Sequence, residues 1–211
     1  GATLLVGDTV DGSSLFTTAC AYSGPSNTLD DCGNVNAAFV GSGTTLGASY
    51  DFDNGFTAAL GYAGAGDSTA GLMTSEGADS YGGNVAYTAD TYGVSVTYAM
   101  VEDANGVDDT YTALNAYWTP EGFPSISAGY EWGDDGSAAS ASDELTSYFV
   151  GIETEVGPGT AGAALGTKTP TVEDTSELLM YEAFYSYPVN DGMTITPLVY
   201  VKEFATGTDD E

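Results

Sequence analysis

The chain has 211 residues, of which 29 are Gly and 15 are Tyr, and its 31 acidic against two basic residues give a formal charge of −29 with no His. So few cations exclude nucleic acid as a partner, because almost nothing is present to displace counterions from phosphates. The missing His excludes Ser-His-Asp and Cys-His catalysis and the common His-based metal sites, and a mean hydropathy near zero without a long apolar run excludes a transmembrane helix but not a membrane-spanning barrel.

Gly1-Ala2-Thr3-Leu4-Leu5-Val6 reads as a strand, and no signal peptide precedes it, so processing or truncation is expected to have removed any targeting segment. Cys20 and Cys32 follow in a Ser/Asn/Asp/Gly-rich stretch, expected as a disulfide-bearing loop over residues 10–34. A disulfide closing a loop of this size contributes about 2–4 kcal/mol and implies an oxidising compartment. A metal site is the weaker alternative, because two thiols without His or further Cys fall short of the usual four zinc ligands.

From residue 50 onward, short Gly-bearing turns alternate with longer acidic loops. The turns are Asp53-Asn54-Gly55, Asp90-Thr91-Tyr92-Gly93, Pro120-Glu121-Gly122, Gly157-Pro158-Gly159 and Asn190-Asp191-Gly192. Asn-Gly and Asp-Gly supply the positive φ angles of tight hairpins, and the Pro-containing turns stop a strand and reverse the chain. The loops fall near 65–78, 102–109, 133–144 and 169–176. Short turns at one end and long loops at the other match outer-membrane barrels.

Each interval alternates in polarity. Phe56, Ala58, Leu60 and Tyr62 share one face, as do Val94, Val96, Tyr98 and Met100, and Ile126, Ala128, Tyr130 and Trp132; the opposite face is small or polar, as in Ser95, Thr97, Ser125 and Ser127. A soluble sandwich would alternate in the same way with its apolar face inward. Two bands of aromatics favour a membrane barrel: Phe52, Phe56, Tyr92, Trp118 and Tyr187 by the short turns, Tyr62, Tyr98, Tyr130, Trp132 and Tyr181 toward the long loops. Strands of about ten residues tilted by about 40° cover roughly 25 Å, the height of a barrel's apolar band. The expectation is an all-β, antiparallel, up-and-down transmembrane β-barrel, a single domain over 1–211 with eleven or twelve strands.

The stretches Ala48-Ser49-Tyr50-Asp51-Phe52-Asp53-Asn54-Gly55-Phe56, Gly71-Leu72-Met73-Thr74, Tyr92-Gly93-Val94-Ser95-Val96-Thr97-Tyr98, Ile126-Ser127-Ala128-Gly129-Tyr130-Glu131-Trp132 and Gly192-Met193-Thr194-Ile195-Thr196-Pro197 resemble the barrel domain of cyanobacterial outer-membrane porins, a likeness strongest over 44–203. The resemblance implies a barrel related to carbohydrate-selective porins, with about sixteen strands when intact and often trimeric. It also implies a fragment, lacking the family's N-terminal surface-layer-homology domain and its final strand. Outer-membrane lipid and further copies of the chain are then the expected partners, and the outer membrane the expected location.

By parity, Glu131, Glu153, Glu155, Glu182 and Lys202 are the candidate pore-lining residues, and their predominance of carboxylates implies a cation-favouring passage. Acidic clusters at Glu102-Asp103 with Asp108-Asp109, and Asp134-Asp135 with Asp143-Glu144, are candidates for weak, diffuse Ca²⁺ or Mg²⁺ binding, without EF-hand spacing. A solvated acidic surface suited to a salty medium is the alternative reading of the same charge. No catalytic constellation is discernible, so no enzymatic activity and no required cofactor are expected. The rival function is an extracellular structural β protein that assembles through strand edges.

Overall fold

Alternating apolar and small residues, broken by Gly-bearing turns, fold into one antiparallel sheet. The computed structural model describes residues 1–27, 29–65, 71–74, 77–102, 106–136, 144–167 and 169–204. Its strands are β1 (Ala2–Asp11), β2 (Ser42–Asp51), β3 (Phe56–Gly64), β4 (Asp79–Thr88), β5 (Tyr92–Glu102), β6 (Asp108–Trp118), β7 (Ser125–Asp134), β8 (Glu144–Val156), β9 (Gly159–Thr167), β10 (Thr171–Val172), β11 (Leu179–Asn190), β12 (Met193–Ile195) and β13 (Leu198–Lys202). Successive long strands pair in chain order from β1 to β9 and on to β11. The two-residue β10 lies against β8, while β12 and β13 are two pieces of one return strand against β11.

The sheet has two ends. β1 pairs with β2 alone, and β12 and β13 pair with β11 alone, so among the described residues no ladder joins the first strand to the last. The up-and-down antiparallel plan matches the sequence; closure into a barrel is not part of what these residues form by themselves.

The turns form as their residues dictate. At the β2–β3 hairpin, Asp53 and Gly55 adopt φ of 58° and 90°, the Asp51 carboxylate accepts the Asp53 N–H at 2.8 Å, and the Asn54 side chain accepts the Phe56 N–H at 3.2 Å. Side-chain acceptors of this kind hold the backbone in turns that ladder bonds cannot reach.

The sheet's two faces differ. The outer face carries Val6, Leu46, Leu60, Val85, Val96, Leu114, Val150 and Val199, all exposed, with Leu60 at 69%. Charged strand residues on this face, Asp8, Glu102, Asp108, Asp134 and Glu144, lie at the long-loop end, with a further one, Asp79, buried there against the Tyr62 hydroxyl at 2.6 Å. Aromatics gather at two levels. Tyr50–Phe52, Phe56–Tyr87 and Tyr87–Tyr92 lie near the short turns with ring centroids 4.8, 4.8 and 5.5 Å apart, and Tyr62–Tyr81 and Tyr130–Trp132 toward the long loops at 5.3 and 5.9 Å.

The inner face is covered by the chain itself. Between β1 and β2, the described residues of the 12–41 segment form no strand, leave and return beside one another through a Gly12 N–H to Gly41 C=O bond of 3.1 Å, and pack across the sheet. Two apolar clusters join this segment to the sheet: Tyr22, Leu29 and Cys32 of the insert with Phe149, Ala164, Met180 and Phe184, and separately Ala37 and Val40 of the insert with Ala99 and Ala113. The domain's core therefore sits between the inserted segment and the inner face.

Candidate functional site: an inner face sealed by its own chain

The outgoing limb of the insert crosses the strands in extended form, so every second N–H points at the sheet. Thr17, Ala19, Ala21 and Ser23 donate in turn to Asn84 on β4, Ser95 on β5, Ser127 on β7 and Glu153 on β8, each at 2.9 Å. The Ser23 hydroxyl adds a second bond to Glu153 at 2.7 Å, and the Tyr22 hydroxyl reaches Glu182 on β11 at 2.6 Å. Buried backbone donors need such partners, because an unsatisfied one costs about 1–3 kcal/mol.

The return limb is held by different strands. Asn115 on β6 donates to the Cys32 carbonyl at 2.8 Å, and Asn34 reaches Thr97 on β5 at 3.3 Å. Glu131 on β7 accepts the N–H groups of Asn36 and Ala37, both at 2.8 Å to the same oxygen. Successive backbone N–H groups converging on a carboxylate form a small anion nest.

The cysteines pair as expected. Cys20 and Cys32 form a disulfide with Cα atoms 6.4 Å apart, linking the outgoing limb to the return limb. Cys32 is 1% exposed and packs against Phe149, while Cys20 is half-buried. The backbone approaches the sheet so closely here that a methyl on Gly129 would overlap the Cys32 carbonyl oxygen, and one on Gly61 would overlap that of Gly12.

Electrostatics inside the insert follow burial. The Tyr22 phenol is pushed well up from its usual value, first by burial and then by its bond to Glu182. Burial likewise raises the Asp31 carboxyl to about 6, against the opposing effect of the Gly33 N–H it accepts at 3.0 Å. Asp31 also bears electrostatically on Glu131.

Of the residues expected to line a pore, Glu131, Glu153 and Glu182 do face inward, but all three are buried under the insert and bonded to it rather than to open space. The physical reason is that buried carboxylates need hydrogen-bond donors, and the insert's backbone amides and hydroxyls supply them. Glu155 is exposed by the β8–β9 turn and accepts the Thr160 hydroxyl at 3.0 Å. Lys202 is half-buried on the inner side of β13, its Nζ 5.2 Å from the Tyr200 ring centre.

The candidate metal carboxylates do not converge. Asp108 and Asp134 occupy outer-face positions, whereas Asp109 has the opposite parity and is tied to the Gly136 N–H at 3.1 Å; Asp135 follows the end of β7. Among the described residues no group of three or more acidic, Cys or His side chains is placed to hold a metal ion. Asp103 and Asp143 lie outside the described residues.

Sequence reading missed Asn84, Ser95, Asn115 and Ser127, the neutral side chains that carry the insert. Their signal was present as an inner face of Ser, Asn and Gly, too small to fill an interior alone. Fold and site together define a class: an all-β, up-and-down antiparallel sheet with an exposed apolar outer face and an inner face sealed by a disulfide-clasped insert. Comparison with known proteins adds no narrower assignment, since neither a family model nor a curated protein matches the chain.

Proposed function

We propose that this chain belongs to an outer-membrane β-barrel channel that passes small hydrophilic solutes or inorganic ions by diffusion, with cations favoured. The observation that carries the reading is the outer face: an exposed apolar band, free of strand charges except at the long-loop end and framed by aromatics at two levels. Lipid is the solvent that makes such a surface favourable, and aromatic rings at its margins match the two membrane–water interfaces. In lipid, the free edges of β1 and of β12 and β13 must be paired, since an unsatisfied backbone group there costs several kcal/mol. The insert narrows any passage to what runs beside it, and Glu131, Glu153 and Glu182 give its surroundings negative charge. The acidic outer rim suits divalent cations bridging to anionic headgroups.

A second reading is favoured by the same unpaired edges: an extracellular structural protein that adds strands from neighbouring copies. Planar-bilayer recording of the purified protein under a salt gradient separates the two. Stepwise openings with a cation-directed reversal potential are expected; folded, inserted protein that stays silent would move the assignment to the structural reading.

A further inference from the structure

We infer that residues 12–41 are a displaceable plug whose tip is seated by the Cys20–Cys32 disulfide, making this face of the molecule redox-sensitive. As a gate, the inference rests on the channel reading; as a docking equilibrium of the insert, it stands on geometry alone.

Three observations combine. The insert is fastened to the sheet in two separate runs, residues 17–23 and 32–37, each through hydrogen bonds to named side chains. Between them, the hydrogen bonds of residues 29–31 stay within the segment, Cys32 N–H to the Leu29 carbonyl at 3.3 Å and Asn34 N–H to the Asp31 carbonyl at 3.1 Å, so the tip is held by the packing of Leu29 and by the disulfide. Beneath this region sit Glu131, Glu153 and Glu182, which accept from neutral donors, backbone N–H groups and hydroxyls. From the insert, Asp31 bears electrostatically on Glu131, and one oxygen of the buried Glu182 has no hydrogen-bond partner among the described residues.

Repulsion between Asp31 and Glu131 opposes seating, and the covalent link between the limbs opposes release. A disulfide acts by restricting the alternatives open to the released loop. A dithiol reductant removes that restriction. Its thiolate attacks the half-buried Cys20 sulfur and the Cys32 sulfur departs as a thiolate that takes up a proton. The second thiol then resolves the mixed disulfide. Two electrons enter the protein, the S–S bond becomes two thiols, and the reductant leaves as its own disulfide. With the limbs no longer tied to one another, the runs 17–23 and 32–37 detach from the sheet, and Glu131 and Glu153 exchange their amide partners for water.

The experiment uses folded, oxidised protein in lipid nanodiscs, treated with dithiothreitol and followed by amide hydrogen exchange, with parallel bilayer recordings. Exchange at Ala19, Ala21, Ser23, Asn36 and Ala37 is expected to accelerate roughly tenfold or more while amides of β4–β8 stay protected. Conductance is expected to rise at least roughly twofold on the same treatment. A Cys20→Ser/Cys32→Ser variant refolded without reductant is expected to match the reduced state, excluding reagent effects. Unchanged exchange in the insert would overturn the proposal, and so would loss of protection across the whole sheet, which would make the disulfide a general staple. Accelerated exchange in a protein that never conducts would retain the displaceable plug and remove the channel reading.

Discussion

The Glu131 carboxylate on β7 accepts the backbone N–H of Ala37, 94 residues away in sequence, at 2.8 Å, and the same oxygen takes the Asn36 N–H at 2.8 Å. One strand residue thereby fixes the return limb of the insert. Hydrogen bonds to an ionised acceptor contribute about 1.5–3 kcal/mol each, and removing the acceptor strands both donors. Glu131→Ala is expected to destabilise the folded state by roughly 2–4 kcal/mol, and Glu131→Gln, which keeps one acceptor, by less. Urea unfolding in detergent measures both, and equal stability of all three proteins would contradict the geometry.

Gly129 lies where a side chain has no room. A Gly129→Ala substitution sets a methyl against the Cys32 carbonyl oxygen, a backbone atom that cannot turn aside, so a cost of about 1–3 kcal/mol is expected. Gly83→Ala on the outer face meets only the Leu60 Cδ2 atom at 3.3 Å among nearby side chains and is expected to be near neutral. Comparing their melting temperatures tests whether the insert rests on the inner face.

Asp31 sets a pH dependence. Its folded-state pKa, raised by burial to about 6, lies above the ordinary carboxyl value of 3.8, so the folded state prefers the protonated form. The associated stability is fully present below about pH 4 and is lost as pH rises through about 6, amounting to about 2–3 kcal/mol. Asp31→Asn keeps an oxygen for the Gly33 N–H but carries no charge. The variant is expected to melt higher than the parent at pH 7.5 and to differ little from it at pH 4; parallel melting curves across that range would show that burial of Asp31 carries no such cost.

The outer face separates lipid from water as its neighbour. Leu60→Arg places a cation in the middle of the apolar band, where a lipid environment exacts about 2–4 kcal/mol. Asp8→Arg alters the rim at the long-loop end, where the cost is expected near 0–1 kcal/mol. Refolding equilibria into phosphatidylcholine vesicles report both values. If Leu60→Arg is tolerated as well as Asp8→Arg, the apolar band does not face lipid.

Strand positions, the up-and-down order and the assignment of faces could be read from the chain, because Asp53-Asn54-Gly55 and similar turns fix where strands reverse and period-two alternation fixes which way Leu60 or Val96 points. The same parity placed Glu131, Glu153 and Glu182 inward. What lay on top of them could not be read. The bonds from Ala19 to Ser95 and from Ala21 to Ser127 join residues 76 and 106 positions apart, and a stretch of Ser, Thr and Gly has no periodicity that announces where it docks. An inner face bearing Gly61, Gly129 and Gly151 needs another layer to fill it.

The meeting of Gly12 and Gly41 at one rim gives the insert a property that its internal contacts do not. Because β1 and β2 already pair from Ala2 with Tyr50 to Asp11 with Ser42, everything between them is a closed detour whose length has no bearing on strand order. Such a detour can be shortened to a tight turn, exchanged or extended while the sheet keeps its register, so the interior of this architecture is free to diversify independently of its wall.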